Sequence, residues 1–170
     1  IAELSSLASA FVDLFSKNDV RNTVRDAMIC IAQRFISTVC VVNNEELGSL
    51  HEYLPVFANA FSVWCEYDRE EKLFKSAIEY IAALVWKYYD RNNLTGFKVS
   101  HLSIICKAFR KFPLGNGIYE ACSAIAESIV KFYTEDLFTS DTQCLVILLK
   151  TFSYWCENKD EGEYFKRCSE

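Results

Sequence analysis

Eight cysteines and two histidines carry the widest chemical repertoire in this sequence: thiolate nucleophiles, imidazole bases and ligands for a soft metal. The cysteines stand at 30, 40, 65, 106, 122, 144, 156 and 168, the histidines at 51 and 101. A structural zinc site draws ligands from close pairs, two to four residues apart. No CxxC pair occurs, so no metal is expected. An even cysteine count in a secreted chain suggests disulfides. Here most cysteines sit inside helical apolar patterns, where a thiol acts as a small hydrophobe, and reduced intracellular thiols are the expectation.

Two of the cysteines end a repeated phrase, FSVWC at 61–65 and FSYWC at 152–156. A third version, FRKFP at 109–113, puts Pro113 where the other two have Cys65 and Cys156. A catalytic thiol is not interchangeable with proline, so this cysteine is not read as a nucleophile. The carboxylate pairs Glu45-Glu46 and Glu70-Glu71 begin helical patterns, where negative charge suits the positive end of the helix dipole. His51 and His101 precede equivalent helices and read as solvated first-turn residues. There is no GxSxG, P-loop, GxGxxG or HExxH. No catalytic residue, cofactor or enzymatic activity is expected.

The repeated phrase must therefore be explained by the elements that carry it. Take its first Phe as position zero: Phe15, Phe61, Phe109 and Phe152. Seven residues earlier stand Ala8, Leu54, Leu102 and Leu145, and four earlier stand Phe11, Phe57, Ile105 and Leu148. Three residues later come Asn18, Trp64, Phe112 and Trp155. These offsets lie on one face of an α-helix. The phrase is the C-terminal turn of a helix, written four times. Each copy leads to a break and a second helix, three of which carry Ile31-Ala32, Ile81-Ala82 or Ile125-Ala126. Asp19 is a candidate N-cap for the first of these.

The zero positions fall 46, 48 and 43 residues apart, the length of a HEAT- or armadillo-type helix pair. The spacing predicts helices over 2–17 and 20–41, 49–65 and 69–90, 98–112 and 117–134, and 139–156 and 160–170. Pro55 falls in a first turn, where proline is tolerated. Thr95-Gly96 and Thr139-Ser140-Asp141 are natural breaks. The expected fold is all-α: a right-handed α-solenoid of about four stacked antiparallel helix pairs. The whole chain reads as a single repeat domain, 1–170, with repeats at about 2–41, 49–90, 98–134 and 139–170. It begins at Ile1 without a signal-peptide pattern and its last pair is short, so it reads as a fragment of a longer array.

A helix pair cannot bury its apolar face alone, so neighbours must stack. Phe15, Phe61, Trp64, Phe109, Phe112, Phe152 and Trp155 are the expected repeat joints, with each fully packed aromatic burying roughly 150–250 Å². Trp86 leans to the polar side of its helix, with Glu79 and Ala83. Aligned on the Ile-Ala pairs, however, its equivalents are Ile36 and Val130, so burial against a neighbouring repeat is expected.

Composition agrees with such an array. The 170 residues are 51% hydrophobic and 15% aromatic, with five Gly, two Pro and a net charge of −5. That excludes disorder and a turn-rich β fold. No basic stripe marks a nucleic-acid surface. No apolar run approaches the roughly 18 residues of a membrane span.

Superposing the copies gives Phe, Ser, Lys/Val/Tyr, Trp/Phe and Pro/Cys. Phe15-Ser16-Lys17, Trp64 and Pro113 together spell F-S-K-W-P. This resembles the SKWP repeat of type III secreted effectors from plant-pathogenic bacteria. The stretch LTGFKVSHLSIICKAFRKFPLGNGIYEACSAIAESIV, residues 94–130, is the most similar: Phe97, a Leu-rich helix, the F-x-K-[WF]-P joint, then Ala-Cys and Ile-Ala. The resemblance spans essentially the whole chain, although no copy holds the full word and Asn18 stands where Trp is expected. It implies an α-helical solenoid, part of a large virulence factor made in the bacterial cytoplasm and injected into a host cell. It implies reduced cysteines in both cytosols and an unidentified host protein as partner, and it carries over no catalytic residue.

The expected function is a non-catalytic protein-interaction scaffold. The alternatives are a helical-repeat RNA binder, opposed by the acidic balance, and repeats supporting an enzymatic domain elsewhere in the parent chain. The second helices supply the candidate partner surface: Asp26, Gln33 and Ser37; Ser76, Glu79, Ala83 and Lys87; Glu120, Ser123, Glu127 and Lys131. These positions are polar or small, so a core does not dictate them.

Overall fold

In the computed structural model, residues 1–14, 21–41, 47–67, 72–112, 115–133 and 142–158 are described, and among them regular structure is entirely helical. The helices are α1 (Ala2–Leu14), α2 (Arg21–Val39), the single turn α3 (Leu47–Leu50), α4 (Leu54–Tyr67), α5 (Lys72–Asn92), α6 (Val99–Phe109), α7 (Asn116–Phe132) and α8 (Thr142–Asn158). Phe15, Asp19, Glu45-Glu46, Glu70-Glu71, Pro113, Thr139-Ser140-Asp141, Cys168 and the expected helix over 160–170 lie outside the described residues.

Two boundaries lying wholly within the described residues differ from the periodicity by three residues or more, and in both places a proline stands beside the boundary. The helix expected from residue 49 is split: α3 ends at Leu50, residues 51–53 turn, and α4 starts at Leu54 with Pro55 in its first turn. Proline lacks an N–H and clashes with the preceding turn of a continuous helix, so it fits a start better than an interior. The helix expected to reach 112 ends at Phe109. The Lys111 and Phe112 amides donate to Ala108 and Phe109 at 3.1 and 3.0 Å, a tightened turn one step before Pro113 in the sequence.

The chain falls into two compact units, Ile1–Ile81 and Ala82–Glu170, with the division inside α5. In the first unit α1 packs on both α2 and α4. Its core is aromatic. Phe57 and Phe61, one turn apart on α4, stack at 5.6 Å. Phe35 of α2 approaches them at 4.7 and 5.5 Å. Phe74, in the first turn of α5, lies 6.1 Å from Phe61 and 6.3 Å from Trp64. Trp64 thus ties the last turn of α4 to the first turn of α5. All five rings are fully buried.

In the second unit α6 packs on both α7 and α8. Ile118, Ala121, Cys122, Ile125 and Ile129 form the buried stripe of α7, and Val99, Leu102, Ile105, Cys106 and Phe109 that of α6. Phe112 is buried past the end of α6, and Phe152 and Trp155 are buried on α8 with ring centroids 5.8 Å apart. Buried hydroxyls recur on the first helices. Those of Ser62, Ser103 and Thr151 donate to carbonyls of their own helix, Asn59, Ser100 and Ile147, at 2.8, 2.9 and 2.7 Å. Each donor is satisfied without a partner from another helix.

The turn after α5 has its own lock. Asn93 and Leu94 both adopt left-handed backbone, φ 54° and 62°, and Leu94 is buried. Such a conformation costs roughly 1–2 kcal/mol for a residue like leucine. The buried Tyr133, just past α7, shares its hydroxyl proton between the Leu94 and Phe97 carbonyls, at 2.5 and 2.7 Å. Tyr133→Phe is expected to lower the unfolding free energy by about 0.5–1.5 kcal/mol, the net worth of a typical hydrogen bond, because the Leu94 carbonyl keeps the Phe97 amide at 2.9 Å when the hydroxyl is lost. Denaturant titration checks this. An unchanged midpoint would show that the bond does not hold the turn.

Candidate interaction surface

In the first unit, Asp26, Gln33 and Ser37 project from α2 into solvent. Arg25 approaches Asp26 at 3.9 Å, and the Ser37 hydroxyl donates to the Arg34 carbonyl at 2.9 Å. From the N-terminal half of α5, Glu79 is exposed and Ser76 half-buried. Tyr80 is exposed beside them. A hydrogen bond with Cys40, at the end of α2, raises the Tyr80 pKa above the ordinary tyrosine value.

In the second unit Ala83, Glu120 and Lys131 are exposed, and Lys87, Ser123 and Glu127 are half-buried. Here side chains come together. Glu127 and Lys131 form an i, i+4 ion pair on α7. Tyr89 of α5 also hydrogen-bonds the Glu127 carboxylate. The Lys131 ammonium first, and the Tyr89 hydroxyl second, hold the Glu127 pKa below the ordinary carboxylate value. The resulting stabilisation is present at neutral pH and fades as pH falls through the lowered pKa. Exposed pairs of this kind contribute about 0.3–0.5 kcal/mol.

Trp86 joins this group, and the expectation that it is buried is overturned. It is 41% exposed, its ring 5.5 Å from that of Tyr89. Its aligned equivalents Ile36 and Val130 are half-buried. The reason lies on α5 itself. Glu79, Ala83, Trp86 and Asp90 follow one another at four-, three- and four-residue steps, and all four are exposed. The helical wheel of α5 held the right signal, and alignment on the Ile-Ala pairs obscured it. Trp86, Tyr89, Glu127 and Lys131 thus form an aromatic and charged cluster across α5 and α7.

The residues with chemical repertoire are dispersed. Cys106 and Cys122 are buried; burial first, and the neighbouring Cys106 second, push the Cys122 thiol well above its ordinary pKa. That favours the neutral, unreactive thiol. Cys65, Cys144 and Cys156 are half-buried, whereas Cys30 and Cys40 are exposed, so the small-hydrophobe reading does not fit these two. His51 lies in the turn before α4 and His101 in the first turn of α6, both half-buried. Among the described residues, no group of three His, Cys, Asp or Glu side chains is placed to hold a metal ion, and no helix is long and apolar enough to cross a membrane.

Comparison of the chain with protein-family models, with curated proteins and with solved structures finds no match.

Proposed function

We propose that this chain is a segment of a right-handed, HEAT/armadillo-like α-solenoid that acts as a non-catalytic scaffold for binding a protein partner. Two packing relations support the repeat reading. Within one unit α1, the first helix of its pair, packs on α4, the first helix of the next; within the other unit α6 and α8 do the same. Such stacking of like helices is how helix-pair arrays bury their faces.

One observation carries the binding function. Trp86 is a large ring left 41% exposed beside the Tyr89–Glu127–Lys131 cluster, on a helix whose opposite face is fully buried. Tryptophan is the residue type that most often anchors protein interfaces. Exposed Glu120 on α7 adds a charge that sets orientation and on-rate more than affinity. The similarity of F-S-K-W-P to the joint of bacterial type III effectors supports a host protein as the partner and delivery into a host cell as the setting.

The test is capture from host-cell extract with the purified chain, followed by mass spectrometry and titration of the recovered protein. Trp86→Ala combined with Glu120→Lys is expected to weaken that titration at least tenfold. The melting temperature should fall by no more than about 4 °C, because substitutions at exposed positions rarely exceed ±0.5 kcal/mol each and 1 kcal/mol corresponds to roughly 2–4 °C in a chain of this size. Glu127 is left unchanged, since a lysine there would face Lys131. A partner bound equally well by the double variant would move the surface to the first helices. Submicromolar RNA binding at physiological salt would replace the scaffold reading, because an acidic chain releases few counterions.

A further inference from the structure

Charge is not spread evenly over the first helices. On α1 and α4 every charged residue is acidic: Glu3, Asp13 and Glu66, all exposed. On α6 and α8 the balance is reversed. The sequence from Phe97 to Tyr119 holds no acid, and α8 holds one, Glu157 in its last turn. Lys107, Arg110 and Lys111 are exposed at the end of α6, and Lys150 is exposed in the middle of α8. The chain as a whole carries a net charge of −5, so this is a local excess of cations on an acidic background.

Helix geometry gathers these cations. Lys107 and Lys111 are an i, i+4 pair on one ridge of α6, with Arg110 beside them. Counted from the zero Phe, Lys107 and Lys150 both stand two residues before it, and Lys111 and Tyr154 both two residues after it. α6 packs directly on α8. On the stacked-repeat reading the two helices run parallel, so like positions are neighbours, and the four cations share a face about 10 Å across, one interhelix spacing. Tyr154, 40% exposed, stands at its edge.

The helix dipole accounts for only part of this pattern. The C-terminal end of α6 favours Lys107, Arg110 and Lys111. Lys150 lies about two turns from either end of α8, where the dipole offers nothing. Nor is the charge neutralised in place. Among the described residues, Lys107, Arg110 and Lys150 have no ion pair.

We propose that this face of α6 and α8, built from Lys107, Arg110, Lys111 and Lys150, docks a short acidic segment of a partner protein. It is a second surface, on different helices from the Trp86 cluster, and its assembly rests on the stacked-repeat reading. Size selects the occupant. Charges are screened over about 8 Å at physiological ionic strength. A ligand about as long as the face therefore meets its cations and little of the acidic remainder. A nucleic acid or an anionic membrane extends past the face, over Glu157 and the other carboxylates of a chain with net charge −5, and is repelled there.

The probe is a fluorescein-labelled octaglutamate peptide, titrated by anisotropy with the full chain from about 1 μM to about 1 mM at about 50 mM salt. Saturable binding that weakens as salt rises is expected. Lys107→Glu combined with Lys150→Glu should weaken it at least tenfold. Lys72→Glu combined with Lys75→Glu, at exposed positions on α5, changes the net charge equally and should leave Kd within twofold. Trp86→Ala should leave it unchanged. A titration without saturation overturns the proposal, and so does equal weakening by the two lysine pairs, which would reduce the effect to net charge. Tighter binding of oligothymidylate or of phosphatidylserine vesicles, lost with the same Lys107 and Lys150 substitutions, overturns it in favour of that polyanion. None of these results alters the capture of a host partner through Trp86.

Discussion

Trp155→Ala is expected to lower the unfolding free energy by about 3–5 kcal/mol. The side chain sits in the last turns of α8, fully buried, with Phe152 at 5.8 Å. Removing an indole from a packed interior loses both its transfer free energy and the contacts of its neighbours, which close only partly over the cavity. Domains have only about 5–15 kcal/mol to lose. For a chain of this size the change corresponds to a fall in melting temperature of roughly 6–20 °C. The control is one residue away. Tyr154 is 40% exposed, and Tyr154→Ala should stay within about 0.5 kcal/mol. If the two variants melted alike, Trp155 would not be a packing residue, and the phrase that contains it would return as a candidate binding site.

That contrast shows where the sequence was legible. A helix with apolar residues at −7, −4, 0 and +3 has one solution for which side faces inward, and Phe61, Trp64, Phe109, Phe152 and Trp155 are buried accordingly. The helix starts depended on local chemistry that periodicity ignores. Leu50 is apolar and buried and extends the α4 pattern, yet the turn at 51–53 separates it from the helix that holds Pro55. Asn93 and Leu94 reach left-handed backbone without glycine, held in part by the hydroxyl of Tyr133, thirty-nine residues beyond Leu94. No window of local sequence contains that information.

The surface was read less well, for a related reason. Aligning repeats transfers the environment of one copy to another, and this is valid only where the same neighbour is present. The aligned equivalents Ile36 and Val130 predict a covered Trp86, but it shares its exposed stripe with Glu79, Ala83 and Asp90. Val146 and Leu149 make the same point. Their counterparts on α4 and α6 are small and buried, while they are large and exposed. The ion pair of Glu127 with Lys131 follows from i, i+4 spacing, but the Tyr89 hydrogen bond to Glu127 requires α5 and α7 to be packed.

Phe61→Ala is the second substitution with a large expected effect, about 3–5 kcal/mol by the same cavity argument. Its ring meets three other aromatic rings: Phe57 at 5.6 Å, Phe35 at 5.5 Å and Phe74 at 6.1 Å. It therefore links three helices, α2, α4 and α5, and the loss should couple to theirs. Phe35 and Phe61 meet edge-on at 62°, a geometry that brings the positive edge of one ring to the negative face of the other. Such pairs contribute about 0.5–1.5 kcal/mol beyond their area burial. A double-mutant cycle on Phe35→Ala and Phe61→Ala should return a coupling of that size, since residues in contact are not additive. Phe61→Leu, which keeps most of the volume but no ring, separates the two contributions. It should cost under about 1.5 kcal/mol, with the ring-specific coupling to Phe35 gone. A cycle that summed to zero would mean the two helices are joined by burial alone. A cost below about 1 kcal/mol for Phe61→Ala would mean that position zero of the repeat is not the centre of its core.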